Sequence, residues 1–184
     1  MDKRKLGFAV ALLVFALDQL SKWWVLGPLH LQELRIMHAA SGWPTDRPDI
    51  SLLPIFGFTY TENQGISLGL LNATNPVGRW MLVAVTAGIA VGVAVWIGRE
   101  KHRMDRAALG MVLGGALGNI LDRTRFGYVV DFADLHFGDF RPFLVFNVGD
   151  AAISIAVVIL LLRAFLTPKE RTKGEPPKET VEHA

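Results

Sequence analysis

Apolar residues fall in four long blocks, Leu6–Leu26, Val77–Gly98, Ala107–Leu121 and Phe143–Leu166, rather than in short periodic stripes. Each approaches the roughly 20 residues that carry a helix across ~30 Å of hydrocarbon. The third is the shortest and the most polar at its end. The pattern predicts an all-α membrane protein with four spanning helices, at about 6–26, 77–98, 107–123 and 143–166, in a single domain covering residues 1–166.

The polar connections differ in character. Residues 27–76 form a connection too long for a loop without structure. Within it, Ile55–Leu71 is rich in aromatic, β-branched and glycine residues, which predicts a small twisted sheet. A loop or short helix is expected beside that sheet, and His38–Asp49, with Gly42, Pro44 and Pro48, reads as an exposed excursion. Thr124–Pro142 carries Asp131, Asp134, His136 and Asp139 among Phe126, Tyr128, Phe132, Phe137 and Phe140, a composition suited to an interfacial segment or lid. Residues 167–184, rich in Pro, Lys, Glu and Thr, cannot bury a core and are expected to be a disordered tail.

Charge sets the expected orientation. Twelve of the nineteen Lys and Arg residues lie at the N-terminus, between the second and third blocks, or after the fourth. The positive-inside rule assigns those three regions, and both termini, to the cytoplasm. The Met-Asp-Lys-Arg-Lys start resembles a secretory signal, but no small-residue cleavage site follows and Asp18 and Lys22 interrupt the run, so a retained first helix is expected. With no cysteine, disulfides, thiolate metal sites and cysteine nucleophiles are excluded. The small net charge of +2 reports topology, and no arginine-aromatic patch points to nucleic acid.

In this topology the polar side chains converge at one depth. Asp18 and Lys22 share a face of the first helix, four residues apart, and an ion pair orienting the helix end accounts for them as readily as chemistry does. Asn119, Asp122 and Arg123 share a face of the third, and Asn147 and Asp150 open the fourth. Gly110, Gly114 and Gly118 recur every fourth residue, the spacing for close helix packing, although Gly114 and Gly115 would also suit a kink. Asn63 begins a turn in the outer connection, and Asp131 lies in the second one. An intramembrane carboxylate is expensive and implies a function with a named partner; Asp131 and Asp150 are each other's candidate. Helix capping is the plainer account of Asp150, and it leaves Asp131 unexplained.

Three chemistries use these residues. Two carboxylates sharing a proton make an aspartic hydrolase, one ionised to activate water and the other protonated. Gly65-Ile-Ser-Leu-Gly69 matches a nucleophile-elbow pattern, so a serine-type membrane hydrolase using Ser67 and His136 is a second reading, although the pattern needs a strand-turn-helix context. Asp131, Asp134 and His136 are a third candidate set, for a metal, but lack the neutral-ligand-rich character typical of zinc. A non-enzymatic scaffold or transporter also accounts for polar glue between helices.

Taken together, the motifs resemble those of lipoprotein signal peptidase, the type II signal peptidase of bacteria. They are Asp18-Gln-Leu-Ser-Lys22, Asn63-Gln-Gly-Ile-Ser-Leu-Gly69, Gly114-Gly-Ala-Leu-Gly-Asn-Ile-Leu-Asp-Arg123, Val129-Val-Asp-Phe132 and Phe146-Asn-Val-Gly-Asp150, in order across residues 6–166. The resemblance implies Asp131 and Asp150 as catalytic aspartates. It implies Asn63, Asn119, Arg123 and Asn147 as lining the substrate site, with Asp18, Lys22 and Asp122 in support. It further implies cleavage of a prolipoprotein before its diacylglyceryl-modified cysteine, without metal or cofactor, at the outer face of the bacterial cytoplasmic (inner) membrane. A four-helix bundle with a small periplasmic sheet and inhibition by globomycin are implied too; the expected partners are the prolipoprotein and membrane lipid, with the enzyme a monomer. Ser67, Leu68 and Gly149 depart from residues common in that family, and the 38–49 excursion is longer than expected.

Overall fold

The computed structural model describes residues 3–44, 47–65, 76–138 and 140–166. In chain order the elements are α1 (Lys3–Leu26), α2 (Leu31–Ser41), β1 (Ile50–Leu53), β2 (Phe56–Asn63), α3 (Pro76–Arg99), α4 (Arg103–Arg125), β3 (Val129–Leu135) and α5 (Val148–Leu166). Ser67 and the tail from residue 167 lie outside the described residues.

Three helices, α1 from Lys5, α3 and α5, are long and apolar enough to cross a membrane. They turn large apolar side chains outward, among them Leu12, Val85, Ile89, Val158 and Leu162, as lipid-facing helices do. At 23 residues α4 is as long, but its sequence is too polar to stand with them. The reason lies in its packing: α4 touches α1, α3 and α5 and points its polar groups at them. It runs unbroken through Gly114 and Gly115 rather than kinking there.

Each of those glycines is a contact with a different helix. A Cβ on Gly110 or Gly114 would run into the backbone carbonyls of Gly7 or Ala11 on α1, and one on Gly115 would meet the carbonyl of Gly149 on α5. Bare backbone is what lets the helix axes come so close. Ala11, Ala90, Ile97, Leu109 and Leu113 fill the remaining interior of the bundle.

The sheet caps one end. Its order is β1-β2-β3, all antiparallel, with Gly57 opposite Asp134, Thr61 opposite Asp131 and Asn63 opposite Val129. A register irregularity between Phe58 and Thr61 bends β2 and re-aims the side chains beyond it. Val25 and Leu31 join Tyr60, Val130, Phe132 and Ala133 in a second core that docks the end of α1 on the sheet.

Two expectations need correcting here. Thr124–Pro142 holds the strand β3, which pairs with β2 at the sheet edge, so residues 129–135 are not a lid: Val129 to Asp134 are all buried, which removes the alternation that marks a strand. The last helix starts at Val148 rather than 143, because Phe146 pairs its backbone with Ala133 (N to O 3.1 Å, and Ala133 N to Phe146 O 2.8 Å) and is thereby held extended. The 38–49 excursion is exposed over residues 39–44, as expected, and is anchored at both ends. His38 lies on α2, and buried Asp49 accepts from the Tyr60 amide at 3.0 Å while facing His38 at 3.1 Å and Arg35 at 3.4 Å.

Candidate active site

The site is built where the sheet meets the ends of α1, α4 and α5. Asp131 enters from β3 and is 1% exposed. Its Oδ2 accepts from the Asn63 side-chain amide at 3.0 Å and its Oδ1 from that of Asn147 at 2.7 Å. Asn63 is itself oriented, since its carbonyl oxygen accepts from the Gly65 amide at 3.0 Å. Asp150 enters from the first turn of α5 and is half-buried. Its Oδ1 accepts from the side-chain amide of Asn119 on α4 at 2.8 Å.

Asn147 joins the Asp131 carboxylate to the Asp150 backbone. While its amide donates to Asp131, its carbonyl oxygen accepts from the backbone N–H of Asp150 at 2.8 Å, the N-cap bond of α5. The cap reading of this segment is thus satisfied by Asn147, which leaves the Asp150 carboxylate free of that duty. Asn147 also donates, at 3.3 Å, to the Asn119 carbonyl oxygen, closing a ring of amides around the pair.

Beneath this ring lies a buried ionic layer. Lys22 Nζ is 2.8 Å from Asp18 Oδ2, 2.8 Å from Asp122 Oδ2 and 3.2 Å from the Asn119 carbonyl oxygen. Asp18 then accepts from the Gly149 amide at 2.9 Å, and Asp122 from the Val130 amide at 3.2 Å. These bonds tie α1 and α4 to the start of α5 and to β3, the two segments carrying the aspartates. Asp18 and Lys22 form the expected pair, but the bridge to Asp122 across helices makes it a triad.

Arg123 points into the same region. Its Nη1 reaches the Asn119 backbone oxygen at only 3.5 Å, and its Nε is buried with no partner among the described residues. A guanidinium with spare donors beside two carboxylates is suited to a polar group arriving from outside.

Gln19 was not singled out from the sequence. Its amide donates to Asp122 at 3.0 Å, to Asp18 at 3.1 Å and to the Gly118 carbonyl at 3.3 Å, placing it inside the ionic layer. Its position beside Asp18, on the face that meets α4, was the only available signal.

Electrostatics separates the two acids of β3. Burial, reinforced by the nearby Asp150 carboxylate, pushes the Asp131 carboxyl up from 3.8 to about 7, against the opposing bonds from Asn63 and Asn147. Asp134 is held low instead: burial would raise it, but hydrogen bonds from Arg141 (3.0 and 3.2 Å) and Thr59 (2.7 Å) outweigh that. Asp131 and Asp134 therefore serve different partners. Three apart on a strand, they project to opposite faces. His136 Nδ1 lies 3.7 Å from Asp134. Among the described residues no group of three metal-ligating side chains converges, so the set Asp131, Asp134 and His136 is not brought together.

Asp150 also borders an apolar cavity of about 250 Å³, walled by Leu135, Phe143, Leu144, Phe146 and Ile155. It offers apolar surface directly beside a carboxylate.

Known proteins resemble this chain in sequence and in fold. Residues 10–166 match the family model for signal peptidase (SPase) II. The chain is 51% identical over 172 residues to the lipoprotein signal peptidase of Rhizorhabdus wittichii, covering 94% of this chain and 92% of that protein. It is 48% identical over 162 residues to that of Sphingopyxis alaskensis, covering 88% and 86%. A solved bacterial membrane enzyme shares the fold with a TM-score of 0.67 at 20% identity, over 93% of this chain and 94% of that one.

Proposed function

The chain belongs to the lipoprotein signal peptidase family, signal peptidase II, and on that premise we propose that it is an intramembrane aspartic endopeptidase acting on prolipoproteins. Family membership makes it a multi-pass membrane peptidase and sets aside the scaffold and transporter readings. The finer reading is that it cuts before the diacylglyceryl-modified cysteine, with Asp131 and Asp150 as the reacting pair.

One observation carries this: a single asparagine binds the Asp131 carboxylate and the Asp150 backbone N–H, holding the two acids of different segments together, with the more buried one titrating near neutrality. In this mechanism the pair holds one proton between them. Asp150, in the first turn of α5, is favoured as the anion by the helix dipole and takes a proton from water as the oxygen attacks the scissile carbonyl. Asp131 donates its proton toward the carbonyl oxygen, and the pair then returns a proton to the leaving amine. Arg123 holds the developing oxyanion with its spare donors, while Asn63, Asn119 and Asn147 fix the carboxylates. Asp18, Lys22 and Asp122 hold the segments in place. The cavity beside Asp150 takes an apolar part of the substrate.

In this reading α4 is a fourth spanning helix. Its 23 residues reach about 35 Å at 1.5 Å per residue, and its polar groups face other helices. Both termini are then cytoplasmic, the sheet is periplasmic, and the active site faces the outer side of the inner membrane, in a monomer open to globomycin.

Cleavage of a lipidated precursor peptide, compared with its unlipidated counterpart, tests the assignment. Wild type should cut only the lipidated form, and neither Asp131→Asn nor Asp150→Asn should cut at all. Chelators and Ser67→Ala should leave activity intact. Near-normal cleavage by either aspartate variant at equal expression sinks the aspartic reading; loss in Ser67→Ala, with the protein folded, turns it toward the serine one.

A further inference from the structure

The opposite face of α4 carries a feature the peptidase reading does not use. Leu113, Leu117, Leu121 and Thr124 lie about half a turn from Gly115 and Asn119, at ~100° per residue, so they face away from α5 and the aspartates. There α1 and α4 enclose an apolar groove of about 490 Å³, walled by Phe8, Leu12 and Phe15 on one side and Leu113, Leu117 and Leu121 on the other. From Leu113 to Thr124 is roughly 16 Å of helix, about half of a ~30 Å hydrocarbon core. The groove thus has the length of one leaflet.

At its sheet-side end the lining changes. A second cavity, of about 300 Å³, begins at Asp122 and Arg125, with half-buried Gln19 and buried Lys22 below and Trp23 and Phe126 beside it. The buried charges are already matched: Lys22 sits 2.8 Å from both Asp18 and Asp122. Arg125 is different. It is exposed, its guanidinium stacks 4.9 Å over the Phe126 ring, and among the described residues it has no acidic partner. An unmatched guanidinium at the head of a leaflet-long apolar groove, flanked by interfacial aromatics, has the layout of a phospholipid: phosphate at the guanidinium, glycerol level at the aromatics, acyl chain below.

We propose that this α1–α4 face binds one anionic glycerophospholipid of the sheet-side leaflet, its phosphate on Arg125 and an acyl chain in the groove. The site is separate from the substrate site, because α4 stands between the two; it rests on the proposed spanning position of α4 and not on the aspartic chemistry.

The test uses the full-length protein reconstituted with equal amounts of phosphatidylglycerol and phosphatidylcholine, extracted in mild detergent and weighed by native mass spectrometry. Wild type should retain one phosphatidylglycerol with a several-fold preference. Arg125→Gln should bring the two lipids to near parity, Arg125→Lys should keep most of the preference, and Leu117→Trp, which fills the groove and leaves Arg125 in place, should lose both lipids. Thermal unfolding of each variant checks that it is folded. Equal retention of both lipids by wild type, an unchanged preference in Arg125→Gln, or full retention by Leu117→Trp overturns the proposal.

Discussion

The side-chain amide of Asn147 lies 2.7 Å from Asp131 Oδ1, a bond from the cap of α5 to the middle of a strand. Because the other end of the same side chain caps α5, two functions reside in one residue and separate by substitution. Asn147→Ala should cost about 1–2 kcal/mol through the cap and lower kcat by more than tenfold. Asn147→Ser retains a capping oxygen but no amide reaching Asp131, so it should regain most of the stability and little of the activity. Thermal unfolding beside peptide turnover separates the two; parallel recovery of both would mean that the bond to Asp131 is unimportant.

A pH profile tests the protonation of Asp131. Its carboxyl is neutral in the fold up to about pH 7, whereas an unfolded carboxyl ionises near 4. Between those values the native state holds the extra proton, so this group makes stability fall as pH rises from about 4 to about 7. Activity needing one protonated and one ionised aspartate should fall above neutrality. Asp131→Asn should flatten the stability profile and unfold at higher temperature than wild type at pH 8. An unchanged profile in that variant would assign the titration elsewhere.

Removing Lys22 should be severe. Lys22→Met strands two buried carboxylates, a loss on the order of 3–5 kcal/mol, and the melting temperature in detergent should drop accordingly. Adding Asp122→Asn removes one stranded charge and should restore part of it. No restoration would mean that the two groups do not interact.

Glycines on α3 and α4 differ in what surrounds them. Gly115→Ala places a methyl against the Gly149 carbonyl and 2.9 Å from Ile153 Cγ1, so it should cost roughly 1–3 kcal/mol and reduce turnover by shifting Asn119 against Asp150. Gly92 has nothing within 4 Å of a Cβ, and Gly92→Ala should be neutral or slightly stabilising. Equal effects at both positions would deny the close contact between α4 and α5.

Much of this was legible because burial in lipid is written into composition. The three apolar helices are simple runs, and the polar groups meeting at one depth follow from helical spacing. What escaped did so for identifiable reasons. β3 is buried on both faces, so Val129-Val-Asp-Phe-Ala-Asp134 shows no alternation. The start of α2 lacks a signal: His30, in the left-handed region at φ 49°, makes no side-chain capping bond. The start of α5 is set by a backbone bridge from Phe146 to Ala133, a tertiary event that no local pattern announces. The triad was half visible, as Asp18 with Lys22, because its third member is 100 residues further along the chain.

That triad has a mechanical side. Where α1 crosses α4, backbone lies on backbone at Gly110 and Gly114, with the Cβ atoms of Val10 and Val14 seated over the same two glycines. The two glycines are four residues apart, so sliding α1 by about 6 Å, the rise of four residues, would swap one seat for the next. Such a slide would carry Lys22 well out of reach of Asp122. The ion triad is therefore the detent of a sliding joint: it adds little to closeness and decides which notch the joint rests in, and with it whether Asn119 arrives level with Asp150.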